Sequence, residues 1–304
     1  MIIFLRLLDI TMLPRRVTKS WSLYEYFTYF WVTRLQMDRI KELEKAKRMD
    51  DNHHAELIHS REFNLFDQST RYWFKAIATF LFQFTYFNLI PAYFKVFKAD
   101  WNPKPFQLLD FTNLDDLLHY YLFTLQLYIS INLSRLALAH IIALLFQFPY
   151  RQQMIHPWMA TSLQEFWGSR WNLTVQSSLK RIAFDPMYTW TRHTIRLHKN
   201  TCFLIATLSV FCFSAFMHEW LLIGALNTST LEQSAFFLLH ALLLILETLI
   251  CKVVNVESLW ARRVLTHLIL IYTVPLMLNP YIRNHVFLDL FYPFSKVLAA
   301  SCTV

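Results

Sequence analysis

The chain has 304 residues, a formal net charge of +8 and only 2 glycines, Gly168 and Gly224, too few for a dinucleotide-binding turn, a phosphate-cradling loop, a collagen-like repeat or a Gly-rich linker. Hydrophobic residues make up 55%, aromatics 17% and charged residues only 16%, against about 25% charged in ordinary soluble domains. The excess of Lys and Arg is not gathered into a dense tail, so the charge fits cytoplasmic loops of a membrane protein better than nucleic acid binding.

The expected elements begin with residues 1–13, apolar but interrupted by Arg6 and Asp9. No small-residue cleavage site follows, so a cleaved signal peptide is not expected; a shortened membrane helix is. Residues 21–32 are densely aromatic and too short to span, which suits the membrane–water interface. Residues 34–62 mix both signs of charge, with Glu44 and Arg48 one turn apart, and read as a solvated helix. We therefore divide the chain into an N-terminal segment, 1–72, and a membrane domain, 73–304.

Residues 74–94 form the first clear span. Residues 117–146 are too long for a simple crossing and predict one tilted helix or a helix with a re-entrant piece. Further spans are expected at 203–226, 235–251 and 264–282, and residues 286–300 are ambiguous. The fold class is all-α: a polytopic helical bundle of about five to seven spans. Residues 149–201 carry seven Lys/Arg against Glu165 and Asp185 and read as an interfacial cytoplasmic segment. The four cysteines contain no C-x-x-C pair, so neither a zinc site nor a disulfide framework is expected.

His218 and Glu219 sit well inside the 203–226 span, in Phe216-Met217-His218-Glu219-Trp220. Ionisable groups at that depth are costly and face a cavity or a polar partner. Desolvation disfavours an imidazolium, and a neutral imidazole can take a proton; an interhelical hydrogen bond is the alternative use. Position 222 is leucine, which removes the zinc-protease spacing, and no metal is expected. Ser214, one turn earlier, is expected to bond its own helix backbone rather than act as a nucleophile. His240 and Glu247 share a helix face; with His218, Glu219, Arg135 and His267 they predict a polar interior that ties helices together.

The second feature is Ser162-Leu163-Gln164-Glu165-Phe166-Trp167-Gly168-Ser169-Arg170-Trp171-Asn172-Leu173. Trp167 and Trp171 are helical neighbours suited to an interface, Arg170 suits a phosphate, and the Asn172 amide can donate or cap. This run, followed by Lys180-Arg181 and Asp185-Pro186, resembles the signature of plant-type wax synthases, in the membrane-bound O-acyltransferase superfamily. The resemblance covers roughly residues 133–282 and matches the family's functional asparagine to Asn172 and its histidine to His218, followed by Glu219. Ser169 departs from the family, which often has a basic residue there, and the region before residue 70 does not match.

The resemblance implies transfer of a fatty acyl group from acyl-CoA, as co-substrate, to the hydroxyl of a lipophilic alcohol drawn from the bilayer. His218 and Asn172 are the implied catalytic pair. Trp167, Gly168, Arg170, Trp171, Glu219, Lys180 and Arg181 are the implied substrate-binding residues, with Gly168 allowing close approach of backbone or donor. No further cofactor is implied, and the endoplasmic reticulum membrane is the expected location. Sterol, terpenoid or diacylglycerol acceptors are the alternatives within the superfamily. A transporter using His218, Glu219, His240 and Glu247 as a polar pathway is the alternative of another class.

Overall fold

The computed structural model describes residues 70–97, 101–146, 153–250 and 258–286. The aromatic stretch 21–32, the charged stretch 34–62 and residues 287–300 lie outside the described residues. The described residues form helices and loops, with no strand among them.

Among the described residues, five long helices carry the fold: α1 (Thr70–Phe97), α2 (Leu114–Phe146), α6 (Lys199–Leu226), α7 (Glu232–Ile250) and α8 (Leu259–Arg283). Between α2 and α6 lie the short helices α3 (Leu163–Glu165), α4 (Leu173–Leu179) and α5 (Asp185–Thr189), linked by π-helical turns. Ile77–Phe94 within α1 and the whole of α6, α7 and α8 are long and apolar enough to cross a membrane. The chain is therefore an all-α integral membrane protein. Residues 117–146 are not broken: α2 is one helix of 33 residues, which at 1.5 Å per residue is about 50 Å long.

Local chemistry sets the helix ends. Asn113 caps α2 through its side-chain oxygen, which accepts the N–H groups of Asp115 and Asp116, and those acidic residues suit the positive end of the helix dipole. Ser258 caps α8 by accepting the Ala261 N–H. Asn227 closes α6 in the left-handed conformation, and its N–H bonds to the Ile223 carbonyl. Residues 227–231 then turn the chain back into α7, making α6 and α7 an antiparallel hairpin.

Two apolar clusters meet at α8. Phe211 and Ala215 of α6, Phe236, Phe237, Ala241 and Leu244 of α7, and Leu276 of α8 surround Leu163 from the short α3. Ile90 and Phe94 of α1, Tyr120 and Phe123 of α2, and Leu278 and Ile282 of α8 form the other. Large side chains on the outer faces of α6 and α7, including Phe216, Trp220, Leu242 and Leu246, remain exposed. They suit contact with lipid chains, and close packing rather than escape from water holds such helices together.

One end of the bundle is sealed by residues 101–113. Phe106 donates its N–H to Glu232, Leu109 donates to the Tyr272 carbonyl, and the Lys104 carbonyl accepts from Asn279. Glu232 is completely buried and pairs with Arg283, while Tyr120 donates to Asn279 at 2.8 Å. A buried pair of this kind is tolerated because further hydrogen bonds satisfy the charges.

Candidate active site

The Ser162–Leu173 run is an irregular loop dipping against α7, built turn by turn. Ser162 begins α3, its hydroxyl oxygen accepting the Glu165 N–H at 2.9 Å. The first N–H groups of α3, from Leu163 and Gln164, would otherwise lack partners. Glu247 on α7 takes both, at 3.0 and 3.3 Å. Residues Phe166–Arg170 then widen into a π-helical turn, closed by the bond from Trp171 N–H to the Phe166 carbonyl. Such turns recur at functional sites.

The widened turn drives Trp167 inward. Its ring packs edge-on against His240, with centroids 5.5 Å apart, and also contacts Phe211, Phe236 and Phe237. Phe237 in turn lies 4.5 Å, centroid to centroid, from the His218 ring. Phe237, His240 and Glu247 fall on one face of α7 by helical spacing. Along that face the loop meets Glu247 first, then His240, then Phe237, whose ring lies against His218. Over those ten residues, 237 to 247, the helix rises about 15 Å.

His218 lies in the membrane-spanning part of α6, and its Nδ1 is buried without a hydrogen-bond partner. The Nε1 of Trp167 is also buried without a partner. A buried polar atom left unpaired in an apolar setting costs free energy, and each of these two keeps a hydrogen-bonding capacity that no described residue uses. His240 is different: its Nδ1 lies 2.9 Å from the Phe236 carbonyl and its Nε2 faces Thr273. It is a satisfied core histidine.

Asn172 ends the loop in the left-handed conformation, φ 43° and ψ 57°. It precedes α4 but does not cap it with its side chain. Instead its Oδ1 accepts from the Gln153 amide, and its N–H is directed at the Met154 sulfur. Helix α4 packs on α6 through Leu179 against Met217, the neighbour of His218. Asn172 and His218 thus sit on adjoining elements, and no hydrogen bond joins them among the described residues.

Several residues expected to touch substrate have internal partners. Arg170 bonds Glu165 through Nε and Nη2 and reaches the Ile155 and His156 carbonyls through Nη1. Burial pushes the Glu165 carboxyl up, but the Thr161 N–H and hydroxyl and the Arg170 guanidinium outweigh it and hold the group below the usual carboxylate range. Glu219 accepts the N–H groups of Thr230 and Leu231 and the hydroxyls of Ser229 and Ser234, so it holds the α6–α7 turn. Lys180 pairs with Asp185 at the surface and also lies over the Phe184 ring. Arg181 is half-buried in the π-helical turn Lys180–Phe184. Trp171 stacks on Phe166.

Around Gly168 the protein leaves open the space that a close approach of backbone or donor was expected to use. A Cβ added there, or at Gly224, would meet nothing within 4 Å, and neither glycine has a positive φ. Among the described residues, no backbone approaches Gly168 closely. The polar interior expected from spacing is also divided: Glu219 serves one end of the α6–α7 hairpin, Glu247 serves the loop at the other end, and His267 faces its own helix carbonyl at Arg263. The side chain of Arg135 lies outside the described residues.

Gln153 was not singled out from the sequence. Its signal is tertiary: it lies 19 residues before its partner Asn172, in a stretch with no motif of its own.

Comparison with known proteins covers this same region. Residues 150–239 match the Membrane bound O-acyl transferase family. The chain is 32% identical over 127 residues to "Probable long-chain-alcohol O-fatty-acyltransferase 2" of Arabidopsis thaliana, covering 41% of this chain and 36% of that protein. It is 33% identical over 104 residues to "Long-chain-alcohol O-fatty-acyltransferase" of Simmondsia chinensis, covering 34% of this chain and 29% of that protein. It is 28% identical over 136 residues to "Acyl-CoA--sterol O-acyltransferase 1" of Arabidopsis thaliana, covering 44% and 38% respectively. The matches thus span less than half the length of these relatives. The family resemblance carried by the 162–173 run and His218 is therefore supported: the region 150–239, which holds the Asn172 loop and the His218 helix, is similar to the membrane bound O-acyl transferase family on its wax synthase-like branch.

Proposed function

We propose that the chain is an O-acyltransferase that moves a fatty acyl group from acyl-CoA to the hydroxyl of a long-chain alcohol, giving a wax ester. The observation that carries this is His218: a ring nitrogen inside a span, buried and unpaired, one side chain away from the family loop.

In this reading His218 takes the proton of the acceptor hydroxyl as the oxygen attacks the thioester carbon. The C–S bond breaks and CoA leaves as a thiolate. A thiolate is a good leaving group near neutral pH and needs no acid; the proton passes from His218 to solvent. The Asn172 amide donates to the carbonyl oxygen as negative charge builds on it. The alcohol enters from the bilayer, and the donor enters from the side of the basic segment 149–201, which is cytoplasmic by its charge. With Arg170 committed to Glu165, the CoA phosphates are met by Arg192 and Arg196, exposed beyond the loop, with Lys180 and Arg181 alongside. The endoplasmic reticulum, where greasy acceptors and acyl-CoA meet, is the proposed membrane.

A sterol acceptor is the second reading, because one matched relative bears that activity in its name. Expression in a host lacking neutral lipid synthesis, with both alcohols supplied, separates the two. Wax esters support the first reading and sterol esters the second. Solute flux in proteoliposomes without acyl-CoA consumption would overturn both in favour of a transporter.

A further inference from the structure

We propose that Gln153 is a positioning residue that sets which end of the Asn172 amide meets the reacting atoms. The inference rests on the reading of Asn172 as a donor in acyl transfer.

The backbone brings the two residues together. Residues 153–155 run beside 170–173: the Ile155 N–H bonds the Arg170 carbonyl, and the Leu173 N–H bonds the Gln153 carbonyl, each at 2.9 Å. The Arg170 guanidinium ties the carbonyls of Ile155 and His156. Gln153 is only 2% exposed, so its side chain has little freedom to move away. Its Nε2 donates to Asn172 Oδ1. Its Oε1 is buried without a partner, so among the described residues no second side-chain bond competes with this one.

A primary amide has two ends of nearly equal shape and opposite hydrogen-bonding sense. Only the NH2 end stabilises a developing oxyanion; the oxygen end would repel it. Asn172 stands in the left-handed conformation and does not cap α4, so its own helix does not choose between the two ends. Gln153 does. By holding Oδ1, it leaves Nδ2 as the presented group.

The test is a steady-state comparison of kcat and KM for acyl-CoA in membranes, using Gln153→Glu, Gln153→Met and Asn172→Asp. The carboxylate that Gln153→Glu introduces only accepts, so it draws the Asn172 NH2 toward itself and presents Oδ1. We expect kcat to fall about 100-fold or more, with KM within about threefold. Methionine releases the amide without inverting it, and kcat falls by less than about tenfold. If Gln153 merely braced the loop, the order would reverse: Met would be the more damaging and Glu, still able to bond the Asn172 NH2, would be spared. That reversal, or an unchanged kcat in Gln153→Glu, overturns the proposal. Should Gln153→Glu fail to accumulate, Gln153→Met is compared in the Asn172→Asp background, where no amide is left to orient: a kcat no lower than that of Asn172→Asp alone supports the proposal, and a further fall at normal melting overturns it. Absence of ester from the wild-type chain is a different failure and counts against the acyltransferase reading itself.

Discussion

Glu247, near the end of α7, accepts the backbone N–H of Leu163 through both carboxylate oxygens, at 3.1 and 3.0 Å, across 84 residues of chain. A carboxylate at the start of a helical turn satisfies orphan donors and suits the local dipole. This contact fixes the near end of the Ser162–Leu173 loop, and Trp167 against His240 and Phe237 fixes its middle.

Loss of that anchor should be felt in the loop first. Glu247→Ala leaves the Leu163 and Gln164 N–H groups without this acceptor and should lower stability by about 1–3 kcal/mol. Glu247→Gln keeps one acceptor oxygen and should lose less. Melting in detergent, with limited proteolysis around residues 161–171, measures both; wild-type behaviour in Glu247→Ala would contradict the anchoring role.

Glu165 gives the loop a pH dependence of known sign. Its pKa is lowered in the folded protein, so the stability it contributes is present above the unfolded value, about 4.3, and is lost as pH falls through the lower folded one. The wild type should therefore outlast Glu165→Gln at pH 7, by about 1 kcal/mol or less because the pair is partly exposed. The gap should close below about pH 4. Melts of both proteins from neutral to acid pH report it; a gap independent of pH would argue against this pairing.

Glu219 should behave as a structural residue despite sitting beside His218. With its four donors in the 229–234 turn, Glu219→Ala should lower the melting temperature through a loss of about 2–4 kcal/mol. In the protein that remains folded, KM for acyl-CoA should stay within about twofold, since the carboxylate is already occupied. A large KM increase with normal melting would return Glu219 to the substrate site.

Gly168→Ala should be tolerated. The open space around its Cβ position and its ordinary φ leave only the helical preference of alanine, worth up to about 1 kcal/mol in its favour. A variant that loses activity while melting normally would show that bound donor, rather than protein, occupies that space.

The long helices were legible because a span is mostly a count of apolar residues. The span read at 203–226 is α6, Lys199–Leu226, and the one read at 264–282 is α8, Leu259–Arg283. The structure adds the capped polar turns at their ends, which hydropathy does not weigh. The loop itself was legible as a motif, but the use of its charges was not. Arg170 suits a phosphate, and Glu219, on α6, is implied by the resemblance to bind substrate. Each is claimed by partners that folding supplies: Glu165 and the 155–156 carbonyls for Arg170, and the 229–234 turn for Glu219. Whether α2 was one helix or two depended on backbone continuity, which an apolar run of that length does not determine.

His218 is the centre of the proposed chemistry, and acyl transfer in isolated membranes tests its role most directly. Membranes holding equal amounts of wild type and His218→Ala are given labelled acyl-CoA and a long-chain alcohol. Ester should form with the wild type and fall about 100-fold or more in the variant, the contribution expected of a general base. Equal ester formation by the two proteins would contradict the role of His218 as the base.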